Sequence, residues 1–237
     1  MDDRAGQGDD DVSSDVFVAI PWRDRGDAAR TRAMMHVTYA LAAMTGEDVH
    51  HVDGSEDRFS LAAARNEAVR QGRAAGAKVI VLCDADTIPE PGPLATSIKL
   101  AQETAGIVLP FTLFRALGEY DSIAVMNGRD PWSFSDIGSL DWSVGGVHVT
   151  TPEVWASLGE QDERFTGWGC EDTAFAIAAD RLGRSHTRVE GTIHHLWHPA
   201  SPDKDEASEA YIANSALLQR YANSDDIKDI IKEWRRA

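Results

Sequence analysis

The chain has 237 residues, enough for one large domain with a sizeable core and too few for a second full domain. A hydrophobic content of 43% and a charged content of 26% are ordinary for a globular protein, and no apolar run approaches the roughly 20 residues of a bilayer span. A formal net charge of −16 argues against a surface of clustered Lys and Arg built for nucleic-acid phosphates, and an anionic substrate would need a metal or a few placed arginines.

Residues 1–15, rich in Asp and Gly, are expected to form a flexible acidic tail. That start is not basic then apolar, so no secretory signal is read there. Cys83 and Cys170 are too few for a disulfide scaffold and are expected to be reduced, and the reading is a cytoplasmic protein. Residues 16–20 read as a buried strand ending at Pro21, and 27–44 as a helix capped by Asp27 and stopped near Gly46. A strand over 48–52 follows, then a helix over 60–75 rich in Ala, Arg, Glu and Leu, then the strand that begins at Val79. This β-α-β-α-β order predicts an α/β fold, a Rossmann-like, mostly parallel central sheet flanked by helices. Further on, 93–104 predicts a helix and 106–111 a strand, and from 112 to about 141 the pattern dissolves. A stretch of that length suits an active-site loop, and Trp132 and Phe134 in it are candidates for acceptor specificity. A strand over 144–150, helices over 152–158 and 170–182, and one or two helices over 205–236 complete the order.

Four constellations could carry chemistry. The apolar run Val79-Ile80-Val81-Leu82-Cys83 stops at Asp84-Ala85-Asp86, which places two carboxylates at a strand's carboxyl end, where ligands of α/β sheets gather. Hard oxygen ligands there can hold Mg²⁺ or Mn²⁺ against a diphosphate, although an acidic turn closing a strand accounts for the same pattern. Gly167-Trp168-Gly169-Cys170-Glu171-Asp172 opens a helix. First-turn acids complement the helix dipole without any function, but an indole beside a carboxylate is also how a sugar ring is held. His194-His195-Leu196-Trp197-His198 offers imidazoles three apart, which with a carboxylate favour Mn²⁺, or are surface and core-edge histidines. His36, His50, His51, His148 and His186 lack such company and read as structural. Finally, Ile20-Pro21-Trp22-Arg23-Asp24-Arg25 follows a strand end, and with Arg65 it supplies arginines that could reach phosphates or simply be solvated.

Taken in order, Ile20 to Arg25, Asp84 to Pro89, Gly145-Gly146-Val147, Gly167 to Asp172 and the late histidines resemble the GT-A fold nucleotide-sugar glycosyltransferases. The resemblance is nearest to the β-1,4-galactosyltransferases and more distant to bacterial polysaccharide polymerases and polypeptide N-acetylgalactosaminyltransferases. It covers about residues 16–200, with 201–237 as a helical extension packed on the same domain. It implies that Pro21, Arg23, Arg25 and Phe59 line the nucleotide pocket and that Asp84 and Ala85 face the donor. Asp86 is then the direct metal ligand and His198 completes the site. His195 falls where the galactosyltransferases carry a methionine ligand, and His194 competes with it. Gly145 and Gly146 border the donor sugar, Trp168, Gly169 and Glu171 bind the acceptor, and Asp172 is the catalytic base. Leu61 stands where the galactosyltransferases carry a phosphate-binding arginine, which leaves Arg65 as a substitute. The implied activity is inverting hexosyl transfer with Mn²⁺ (or Mg²⁺), from a UDP-sugar to a glycan, protein or other hydroxyl-bearing acceptor. Its rivals are a retaining transferase on the same scaffold, a nucleotidyltransferase, and a glycan-binding module without turnover.

Overall fold

A computed structural model describes residues 15–54, 58–134 and 137–236. The expected tail at 1–14 lies outside the described residues. Asp15 belongs to the fold, since its carbonyl accepts the amides of Lys78 and Val79.

The first half follows the expected alternation. β1 (Val16–Pro21) is buried along almost its whole length and leads to α1 (Ala28–Thr45). The carboxylate of Asp27 accepts the amides of Ala29 and Arg30 at the start of α1, and Gly46, at φ +75°, closes its end in the left-handed conformation that glycine adopts without strain. Then come β2 (Val49–Val52), α2 (Leu61–Ala74) with Ser60 as its cap, and β3 (Val79–Cys83), which is fully buried. After the acid pair the chain forms β4 (Thr87–Pro89), α3 (Pro91–Leu100) and β5 (Val108–Leu109). The helix thus ends four residues before the expected 104, and the strand expected over 106–111 reduces to two residues. Gly106 there lies so close to the Ser185 carbonyl that a side chain would collide with it.

The stretch read as irregular contains β6 (Leu113–Ala116), α4 (Glu119–Met126), a 3-10 turn at Pro131–Ser133 and β7 (Gly138–Leu140). Strands this short and without apolar alternation leave no periodic signal. β8 (Val147–Thr150), α5 (Pro152–Ser157), α6 (Glu171–Arg181), β9 (Thr187–Arg188), β10 (Thr192–His195), α7 (Glu209–Asn223) and α8 (Ile227–Trp234) complete the chain.

The main sheet has the order β2-β1-β3-β8-β5-β9, in which β8 runs against the other five strands. It is therefore mostly parallel, as expected, with one reversed strand. The core lies on this sheet, formed by Val18, Ile20, Ile80, Leu82 and Val149 with Val37 and Leu41 of α1 and Val69 of α2. A second sheet, β4-β10-β6-β7, had no counterpart in the sequence reading. Its edge pairing matters for the site: β10 lies antiparallel to β4 with His195 opposite Thr87, and the amide of Leu196 donates to the Asp86 carbonyl at 2.7 Å. A smaller apolar cluster of Phe165, Ala174, Ala178, Tyr221, Ile227 and Ile230 joins α7 and α8 to α6. Among the described residues no helix is long and apolar enough to cross a membrane.

Candidate active site

β3 delivers Asp84 and Asp86 just beyond its carboxyl end. The amide of Asp84 donates to the Gly146 carbonyl at 2.8 Å, which ties the acid pair to the double glycine before β8. Asp86 faces two imidazoles: its carboxylate lies 3.0 Å from His198 Nε2 and 3.6 Å from His195 Nε2. Donor atoms of the three residues lie within 4.8 Å of one another, so one ion could reach all of them. Burial alone would raise the Asp86 pKa, but His195, His198 and Arg30 hold it well below the usual carboxylate range, while burial lowers that of His195. An ionised carboxylate beside a neutral imidazole is the protonation state that a divalent cation requires, and the mixed O,N donor set fits Mn²⁺. His194 does not join this cluster, because successive side chains of a strand point to opposite faces; it is buried, with its ring 4.6 Å from that of Trp132.

Beneath the acid pair lies Arg65, which is fully buried. The expectation that it reaches for a diphosphate is therefore corrected. One guanidinium nitrogen donates to Asp84 Oδ1 at 2.7 Å, and another to Asp172 Oδ1 at 2.5 Å and to Gln161 Oε1 at 3.3 Å, with Glu171 Oε1 at 3.9 Å. A guanidinium survives burial only when paired in this way, and its fork matches carboxylate geometry. The neighbouring Asn66 donates to the Gln161 carbonyl and to Glu163, and accepts from Trp155 Nε1 and the Gln161 amide. Arg65 and Asn66 thus anchor the start of α6 and the loop before it onto α2.

The four groups around Arg65 titrate differently. Burial raises Asp172, but Arg65 and a hydrogen bond from Glu171 outweigh it, so Asp172 stays ionised. Burial and the adjacent Asp172 charge push Glu171 up to about 8, and burial pushes Asp84 up to about 6 despite Arg65. His148 was expected to be structural, yet its Nε2 lies 3.7 Å from Asp172 Oδ1. Burial lowers its pKa to about 3, so the ring is neutral, with Nε2 2.9 Å from the Val144 carbonyl. Gly145 is explained by contact: a Cβ there would sit 2.2 Å from Asp172 Oδ2. Gly146 combines φ +103° with the Ile193 side chain 2.8 Å from where its own Cβ would be.

At one part of the cavity the Arg25 guanidinium lies 4.7 Å from the Phe59 ring centroid, and Arg23 is paired with Asp53. Elsewhere the loop before α6 presents Trp168, 40% exposed, with its ring near-parallel to Tyr211 of α7 at 6.2 Å. Gly167, Gly169 and Cys170 all have positive φ, so this loop is sharply folded. The buried Asn214 of α7 holds it, with its Nδ2 within 3.2 Å of the carbonyls of Thr166, Trp168 and Gly169 and its Oδ1 accepting the Thr166 amide at 3.4 Å.

Of the predicted site residues, Pro21, Arg23, Arg25, Phe59, Asp84, Ala85 and Asp86 line a single cavity of about 620 Å³. Gly145, Gly146, Trp168, Gly169, Glu171, Asp172, His195 and His198 line it too, and Arg65 does not. Sequence reasoning missed Trp22, Arg30, Phe114, Trp142 and Lys204 on the wall, and Gln161 and Asn214 behind it. The irregular stretch contributes Phe114, Leu140 and Trp142 rather than Trp132 or Phe134. Trp22 and Lys204 lie close to motifs already singled out; the others carry no local signal.

No family model matches the chain, and no curated protein matches it either. Solved structures do. The catalytic domain of Drosophila β-1,4-galactosyltransferase 7 in complex with xylobiose superposes with a TM-score of 0.54 at 15% identity, over 90% of this chain and 82% of that one. A mutant of the same enzyme with manganese, UDP-Gal and xylobiose gives 0.52 at 17% identity, over 77% and 71%. GalNAc-T7 with UDP, GalNAc and Mn²⁺ gives 0.54 at 11% identity, over 92% of this chain and 54% of that chain. At such identities the likeness is one of fold, and the fold is that of the GT-A glycosyltransferases.

Proposed function

We propose that the chain is a metal-dependent glycosyltransferase that moves a sugar, with inversion, from a nucleoside-diphosphate sugar, UDP by resemblance, to an acceptor hydroxyl. One observation carries this reading. The Asp86, His195 and His198 cluster, the Arg25 and Phe59 pair, and the Trp168, Glu171 and Asp172 group all open into one cavity. The similar solved structures, which hold UDP-Gal or UDP with manganese, support it.

In this reading Phe59 and the arginines take the nucleotide, and Asp86, His195 and His198 hold the Mn²⁺ or Mg²⁺ that would neutralise charge on the departing diphosphate. Trp168 stacks on the acceptor and Glu171, which keeps its proton at neutral pH, donates to or accepts from its hydroxyls. The acceptor oxygen attacks the anomeric carbon from the face opposite the nucleotide. The bond from that carbon to the diphosphate oxygen breaks, its electron pair leaves with the diphosphate, and the acceptor proton passes to Asp172. A carboxylate held ionised by Arg65 is a weak base, so it takes the proton only as bond formation makes the acceptor oxygen acidic.

Calorimetric titration with UDP- and GDP-sugars, with and without Mn²⁺, tests the donor site. Metal-dependent binding of one donor, lost in Asp86→Ala, is expected, and an absence of nucleotide binding under every metal condition would instead favour the glycan-binding alternative. NMR of the product linkage then tests the stereochemistry, and retention of the donor's anomeric configuration would remove Asp172 from the role of base.

A further inference from the structure

The cations around the cavity differ in what already engages them. Arg23 is paired with Asp53, and Arg65 is enclosed by its carboxylates. Arg30 lies 3.8 Å from Asp27 and donates to the Pro199 carbonyl at 3.2 Å, while Arg25 lies over Phe59. Leu61 lines the cavity and gives it no charge. Lys204 also lines the cavity, and among the described residues its ammonium makes no ion pair; it stands 5.1 Å from the Trp168 ring centroid. Its neighbour Asp203 is the residue paired with Arg58, which holds the turn at Pro202–Lys204 and leaves the lysine ammonium against the Trp168 ring rather than against a carboxylate.

We propose that Lys204 binds the terminal phosphate of a nucleoside diphosphate in this cavity, in place of the arginine that Leu61 lacks. The proposal rests on the donor-site reading above. A nucleoside diphosphate brings two to three negative charges into a pocket already lined by Asp84, Asp86 and Asp172, in a protein of net charge −16. A single divalent ion on Asp86 leaves part of that charge unmatched. Lys204 follows His198 by six residues, on a segment whose Ala200 and Ser201 also line the wall, so the lysine and the metal ligands share one rim. A lysine acts on phosphate as a mobile point charge and needs no planar partner, so its ammonium can turn from the Trp168 ring to a phosphate.

The test is calorimetry of the full chain with UDP, GDP, UMP and uridine in saturating Mn²⁺, on wild type, Lys204→Ala and Lys204→Arg. Lys204→Ala is expected to weaken diphosphate binding about ten-fold or more, the scale of one charge-assisted hydrogen bond. UMP and uridine are expected to stay within about two-fold, since neither has the phosphate that the lysine contacts, and Lys204→Arg is expected to restore most of the loss. Because Lys204 is exposed, the thermal midpoint of the variants should be unchanged. Unaltered diphosphate affinity in Lys204→Ala, or an equal loss for UMP, overturns the assignment. A wild type that binds no nucleoside diphosphate overturns the donor site and Lys204 with it, and that result differs from a wild type that binds beside a variant that fails to weaken.

Discussion

Arg65 shows how a few side chains set the electrostatics of the site. It is the cation that Asp84 and Asp172 share, and its removal would leave buried carboxylates facing each other. Arg65→Met is expected to cost about 3–5 kcal/mol, the scale for breaking a buried ion pair, read by urea denaturation. A cost below about 1 kcal/mol would mean that the carboxylates find other partners. Asp172→Asn keeps the shape and removes the proposed base, so transfer should fall about 10² to 10⁴-fold while donor affinity holds. Glu171 gives a pH prediction with a definite sign. In the unfolded chain it releases its proton near 4.5, and in the fold only at about 8, so across that window the folded state binds more protons and stability falls as pH rises. Asp84 adds a similar slope only up to about 6, and the buried His148 and His186, neutral in the fold, add the opposite slope until unfolded imidazoles lose their protons near 6.5, so Glu171 dominates from about pH 7 to 8. In chelator, Glu171→Gln should flatten the decline of Tm over that interval, and an unchanged slope would place the titration elsewhere.

Pairings between elements decide which residues meet. The antiparallel pairing of β4 with β10 brings His195 beside Asp86, although more than a hundred positions separate them in the chain. Because side chains alternate along a strand, the same pairing turns His194 toward Trp132, so of the adjacent pair only His195 faces Asp86. α7 works in a similar way on the other wall: Asn214 reads three carbonyls of the loop that carries Trp168, and Tyr211 backs the indole. Asn214→Ala should lose about 1–3 kcal/mol of stability, since it leaves buried carbonyls unpaired. It should also raise the KM for acceptor while the affinity for UDP is unchanged. Equal losses on both substrates would show that the helix supports the cavity as a whole.

At the scale of the molecule, a strongly acidic chain has gathered arginines, a lysine and two histidines around one cavity, and under the proposed function a divalent ion would join that charge balance. Binding to the folded state alone raises stability by about 2.7 kcal/mol at a hundred-fold excess over Kd, and each kcal/mol moves Tm by about 2–4 °C for a chain of this size. Mn²⁺ should therefore raise Tm by several degrees over chelator in the wild type and leave Asp86→Ala unmoved. A wild type indifferent to Mn²⁺ would remove the metal from the site.

The layered α/β fold was legible in the sequence because β1, α1, α2 and β3 carry their signals locally, in buried apolar runs, in Asp27 and Ser60 as caps, and in Gly46 as a stop. Asp84, Asp86, Trp168, Glu171 and Asp172 were legible for a related reason, since each sits where a strand ends or a helix begins. The second sheet, the burial of Arg65, which of His194 and His195 faces Asp86, and the grip of Asn214 were decided by the tertiary structure alone. The second sheet's strands, of three or four residues, have too few positions for a period to show. An arginine in an exposed loop and one buried between carboxylates read identically until the partners, 19 and 107 positions away, are brought together.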